Sequence, residues 1–67
     1  MNKLKEVRFF SNVTQYRLSQ LTNIAQSRIS LAEKGYISLK EEEKREIARA
    51  LKRKVKEVFP DVEILTL

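Results

Sequence analysis

The chain has no cysteine, no histidine and no tryptophan among its 67 residues, and a single glycine and proline. Without cysteine there is neither a disulfide nor a thiolate metal site, and without histidine the commonest metal ligand and general base are missing. No catalytic constellation stands in what remains, so enzymatic activity, a cofactor and a bound metal are all unexpected. No apolar run approaches the roughly 18 residues that would span a bilayer, and no segment reads as a signal peptide, so a cytoplasmic location is expected. Asn12-Val13-Thr14 fits a glycosylation acceptor by chance only. A domain this short buries only about 60% of its unfolded surface, and its stability is expected to be marginal unless near-ideal helices or dimerisation help.

What is present is most informative from Thr14 to Gly35, TQYRLSQLTNIAQSRISLAEKG, which reads as two short helices joined by a tight turn. Thr14 is a good N-cap, and Val13 and Leu18 stand at the two positions of a hydrophobic staple. Leu18 and Leu21 fall on one face, with the small Ser19 beside them, where a second helix can approach. Thr22, Asn23 and Ile24 end this helix, asparagine being one of the few residues that tolerates the left-handed backbone of a sharp turn. In the second helix Ile29 and Ala32 lie three apart and Glu33 projects to the same side, so this face is expected inward. Ser27, Ser30, Leu31 and Lys34 are left outward, with Gln26 at the exposed N-terminal end and Arg28 at the border. An inward carboxylate needs a partner, and Arg8, preceded by Leu4 and Val7 in the first helical segment, is the candidate.

Arg8, Gln15, Leu18-Ser19, Asn23-Ile24, Ile29 and Glu33-Lys34-Gly35 together resemble the helix-turn-helix pattern of the phage repressor and Cro class, also called the xenobiotic-response-element class. The match is ungapped from Arg8 to Gly35, and a more degenerate pattern runs from about Leu4 to Phe59. The resemblance implies that Gln15 anchors the first motif helix to a DNA phosphate, that Gln26 and Ser27 read base edges, and that Leu31 is a further base-facing residue. It also implies an internal salt bridge between Arg8 and Glu33, which makes that pair structural. Glutamine can pair in bidentate fashion with adenine, serine is permissive, and leucine can lie against a thymine methyl, a set that leans towards A·T pairs. Arg17, Arg28 and Lys34 are better placed for phosphates. Gln26, Ser27 and Ser30 equally fit a solvated polar face, Gln15 a polar first-turn residue, and Leu31 a scattered surface leucine.

Charge is distributed to suit that resemblance. Residues 1–40 hold seven Lys or Arg against two Glu, whereas residues 41–67 hold seven of each sign, so the whole net charge of +5 lies with the motif, as a nucleic-acid footprint should. Three features depart from the family pattern. Ala25 stands where a Ser or Thr commonly caps the recognition helix, Tyr36-Ile37-Ser38-Leu39 replaces a loop that often carries basic residues and a proline, and Lys52-Arg53-Lys54 holds no glycine where two helices usually part.

The remaining segments read as scaffold. A first helix from about Lys3 to Ser11 presents Leu4 and Val7 inward; Phe9 and Phe10 cannot both share that face, so one of them is expected at an edge or an interface. With Tyr16 nearby, either an exposed aromatic serves a partner or, the preferred reading, these rings are partly buried against the first helix's neighbours. Ser38 is expected to open the next helix with a capping box to Glu41, and Glu41-Glu42-Glu43 at its start with Arg49, Lys52, Arg53 and Lys54 at its end suits the helix dipole. Ile47, Ala50, Leu51, Val55 and Val58 form an apolar stripe that permits one helix from Leu39 to Val58, although two helices with a tight joint are preferred. The basic run Arg49, Lys52, Arg53, Lys54 and Lys56 is either a solvated face or a second phosphate-contacting patch. After Pro60, DVEILTL partly alternates apolar and polar residues and reads as a strand or extended arm.

The expectation is therefore an all-α, four- to five-helix domain of the repressor and Cro type over residues 1–59, with residues 60–67 as an arm and candidate dimerisation element. Its expected function is that of a transcriptional regulator, a repressor in the first instance, binding specific double-stranded DNA as a homodimer and reading the major groove with helix 26–34. Two alternatives stay open: an antitoxin or restriction-modification controller using the same module with a protein partner, and a helical module for interaction alone.

Overall fold

The computed structural model describes residues 2–60; of the arm expected at residues 60–67, all but Pro60 lies outside the described residues. Five helices follow one another: α1 (Leu4–Phe10), α2 (Gln15–Thr22), α3 (Gln26–Glu33), α4 (Glu41–Leu51) and α5 (Val55–Val58), and the described residues contain no strand. The fold is all-α. No helix among the described residues is long and apolar enough to cross a membrane.

Local chemistry sets each boundary. Thr14 caps α2, its Oγ1 accepting from the Arg17 N–H at 3.0 Å, and Val13 packs against the core that holds the fully buried Leu18. Asn23 ends α2 in the left-handed conformation at φ 62°. Gly35, at φ 80°, ends α3 in a Schellman arrangement: its N–H donates to the Ala32 carbonyl at 3.1 Å and the Tyr36 N–H to the Leu31 carbonyl at 2.9 Å. The joint after Leu51 repeats that geometry with a lysine. Lys52 takes φ 59°, and the N–H groups of Lys52 and Arg53 donate to the carbonyls of Arg49 and Ala48, so the chain forms two helices there.

The core gathers Leu4 from α1, Leu18 from α2, Ile29 and Ala32 from α3, Ile47, Ala48 and Leu51 from α4, and Val58 with Phe59 at the end of α5. Each fully buried aliphatic side chain contributes roughly 1.5–3 kcal/mol, which lets helices of one to three turns persist. The α2 helix packs against both α3 and α4, and α5 against α4. Lys44 adds its ammonium over the ring of buried Phe59, 5.7 Å from the centroid. The N-terminus is stitched into this assembly by Asn2, whose Oδ1 accepts from the Leu4 N–H and whose Nδ2 donates to the Ala32 carbonyl, both at 3.0 Å. The Lys3 N–H donates to the Val58 carbonyl at 2.8 Å.

Three expectations are corrected. Leu21 is exposed, because α2 buries Leu18 and Thr22 instead; the Thr22 hydroxyl donates to the Leu18 carbonyl at 2.8 Å, which lets a polar residue turn inward. Phe9, Phe10 and Tyr16 are all exposed rather than partly buried. At about 100° per residue, Leu4, Val7 and Arg8 occupy the inner side of α1, and both phenylalanines fall opposite, where their rings meet edge to face with centroids 5.8 Å apart. Finally, Ser38 does not open α4. Leu39 is drawn into the core, the helix begins two residues later, and Glu43 Oε1 accepts from the Lys40 N–H at 2.8 Å.

Candidate nucleic-acid interface

The α3 helix has two sides of different character. Ile29 and Ala32 are fully buried, and the Glu33 side chain is 4% exposed. Its carboxylate is satisfied three times: Arg8 Nε donates at 2.6 Å and Arg8 Nη2 at 3.3 Å, and Gln15 Nε2 donates at 2.9 Å. Arg8 Nη1 also donates to the Val13 carbonyl at 3.0 Å. A buried carboxylate is tolerable only when its charge and lone pairs are matched in this way. One constellation thereby ties α1, the turn before α2, the first residue of α2 and the last residue of α3.

The other side faces outward. Gln26, Ser27, Leu31 and Lys34 are exposed and Ser30 is half-buried. Gln26, Ser30 and Lys34 are spaced by four, as are Ser27 and Leu31, so the five residues form one stripe. From Gln26 to Lys34 the helix rises about 12 Å, and its own diameter of about 10–12 Å matches the roughly 12 Å width of a B-DNA major groove. Arg17 stands exposed on α2. Gln15 is half-buried, with one amide hydrogen committed to Glu33; among the described residues its second amide hydrogen and its oxygen have no partner.

Arg28 is placed differently from the other cations. Its Nε donates to Glu43 Oε2 at 3.1 Å and its Nη2 to Glu43 Oε1 at 2.7 Å, with side-chain exposures of 40% and 20%. Arg28 foremost, and then the Lys40 N–H, hold the Glu43 carboxyl below its ordinary value. The sequence gives no sign of this partner, since fifteen residues separate the two and no local spacing connects them. Ala25 provides no side-chain cap to α3, as its methyl group dictates.

The basic run after α4 lies elsewhere. Lys52 stands nine positions after Glu43, a rise of about 14 Å along the axis. Lys52, Arg53, Lys54 and Lys56 are exposed there, and exposed Arg49 meets Glu46 at 3.4 Å. Among the described residues no group of three or more acidic, histidine or cysteine side chains could hold a metal ion.

Comparison of the chain with protein-family models gives no match, and comparison with curated proteins gives none.

Proposed function

We propose that this chain is a sequence-specific double-stranded DNA-binding transcriptional regulator that inserts α3 into the major groove. The observation that carries the reading is the two-sided character of α3: a locked inner face and an exposed stripe of hydrogen-bonding and apolar side chains on a helix of groove dimensions. Gln26 and Ser27 read base edges near the start of the helix, Leu31 lies against a thymine methyl, and Ser30 lies between these contacts. Arg17, Lys34 and the second amide hydrogen of Gln15 meet phosphates, which fix register without reading sequence. The excess of positive charge in residues 1–40 supports the same reading.

An eight-residue helix meets only a few base pairs, so the reading includes a homodimer on half-sites about one helical turn apart, acting as a repressor alongside the DNA in the cytoplasm. Catalysis has no part in it. Exposed Phe9 and Phe10 favour a second reading, in which the module also carries a protein partner, as an antitoxin or restriction-modification controller would.

Selection of bound sites from a random duplex pool, repeated with Gln26→Ala and Ser27→Ala, tests the assignment. The recovered motif should relax at one or two positions; a motif unchanged at every position removes these residues as readers. Sedimentation with and without residues 61–67 tests the dimer element, and the same mass in both cases removes it.

A further inference from the structure

The α3 helix is held at both ends by ion pairs to other helices, and only one of them, Arg8–Glu33, is buried. The other has a consequence for DNA binding. Arg28 is the third residue of α3 and Glu43 the third of α4, so the pair joins the first turns of two helices. The first turn of α3 is the one without a side-chain cap, because Ala25 has no acceptor to offer. The same carboxylate accepts the Lys40 N–H that starts α4, which fixes its position independently of Arg28. An arginine bound through two of its N–H groups to a fixed carboxylate presents a neutralised pair to solvent, not a free cation.

We propose that Glu43 is a positioning residue for the recognition helix: it anchors the first turn of α3 through Arg28 and withholds that guanidinium from DNA phosphate. The proposal rests on the DNA-binding reading and deepens it. Its consequence is specificity. Phosphate contacts strengthen binding to every sequence alike, so a paired Arg28 keeps random-sequence affinity low while Gln26 and Ser27, two residues and one residue before it, stay in register for bases. Arg17 and Lys34, which no ion pair among the described residues engages, remain for phosphates.

Salt dependence separates the roles, because each phosphate neutralised adds about 0.9 to the log–log slope of affinity against salt. Binding is measured for wild type, Glu43→Gln, Arg28→Gln and the double variant, on random duplex and on the selected site, from about 50 to about 200 mM salt. Glutamine at position 43 still offers an oxygen to the Lys40 N–H, so the start of α4 is preserved. Glu43→Gln should steepen the slope by one contact, losing about 3.5-fold more affinity across that range, and should lower the ratio of selected-site to random affinity. Arg28→Gln and the double variant should keep the wild-type slope, which excludes a mere loss of negative charge at position 43. An Arg28→Gln slope shallower by about 0.9 shows Arg28 already on phosphate and overturns the proposal, as does a Glu43→Gln protein with unchanged slope and ratio. If Glu43→Gln does not fold, the Arg28→Gln slope decides alone. Wild-type protein that binds no duplex fails the DNA reading itself, whereas wild type that binds selectively with an insensitive Glu43 fails only this inference.

Discussion

The α3 and α4 helices lie side by side in the chain and are specified in opposite ways. The α4 helix carries its own instructions: three glutamates in the first turn, Arg49 in the last, Glu43 turned back to the Lys40 N–H, and Ile47, Ala48 and Leu51 on one buried stripe. The α3 helix has no acidic residue in its first turn, no basic residue in its last and no capping side chain. It is fixed instead by residues far away in sequence, Arg8 and Gln15 at one end and Glu43 at the other. A helix whose stability comes from tertiary contacts can leave its outer stripe to side chains chosen for another purpose, which a helix reliant on its own propensity and surface ion pairs cannot do as freely.

The sharpest break in this comparison comes from the buried clamp. Glu33→Gln removes the charge that matches Arg8, whose side chain is 15% exposed, and should destabilise the domain by about 3–5 kcal/mol in urea denaturation. Replacing both members together, Arg8→Met with Glu33→Leu, should recover much of that loss, since no charge is then left buried and unpaired. A Glu33→Gln protein as stable as wild type would mean that α3 does not depend on distant partners.

The same comparison explains what was legible in the sequence. Features encoded within one turn could be read: the Thr14 cap, the left-handed Asn23, the missing cap at Ala25, the inward Ile29, Ala32 and Glu33, and the outward Gln26, Ser27 and Leu31. Features that depend on tertiary competition could not. Ser38 is a better capping residue than Lys40, yet Leu39 is buried and the helix starts after it. Leu21 fits the inner face by spacing, and Thr22 takes it by satisfying its own hydroxyl. For the candidate site, the direction of the stripe followed from periodicity, whereas the pairing of Arg28 with Glu43 required the fold.

Two substitutions sharpen the contrast from the stabilising side. Ala25→Ser supplies the oxygen that α3 lacks; Ala25 is exposed and at ψ 137°, compatible with a cap, so a gain of about 1 kcal/mol in thermal or urea unfolding is expected. Lys52 sits at φ 59° with an exposed side chain, a conformation that disfavours residues bearing a Cβ. Lys52→Gly should stabilise the α4–α5 joint by up to about 1 kcal/mol, less the extra entropy that glycine loses on folding. If Ala25→Ser gave nothing while Lys52→Gly gave its full increment, the first turn of α3 would be saturated by its tether to Glu43.

The smallest effect isolates that tether. The folded protein holds the Glu43 carboxyl below its ordinary value of 4.5, with Arg28 the largest cause. A carboxylate whose value is lowered by folding binds fewer protons in the native state than in the unfolded chain. Its contribution is therefore complete above the unfolded value, and it is lost as pH falls from about 4.5 through the lowered folded value. Because Arg28 is 40% exposed, solvent and salt screen the pair, and the difference should stay below about 1 kcal/mol. Unfolding free energies of wild type and Glu43→Gln, measured at low salt, should be separated above that window and converge below it. A separation that persists unchanged into stronger acid would mean that the glutamine perturbs packing around α4, and the ionic link between α3 and α4 would then contribute nothing measurable to stability.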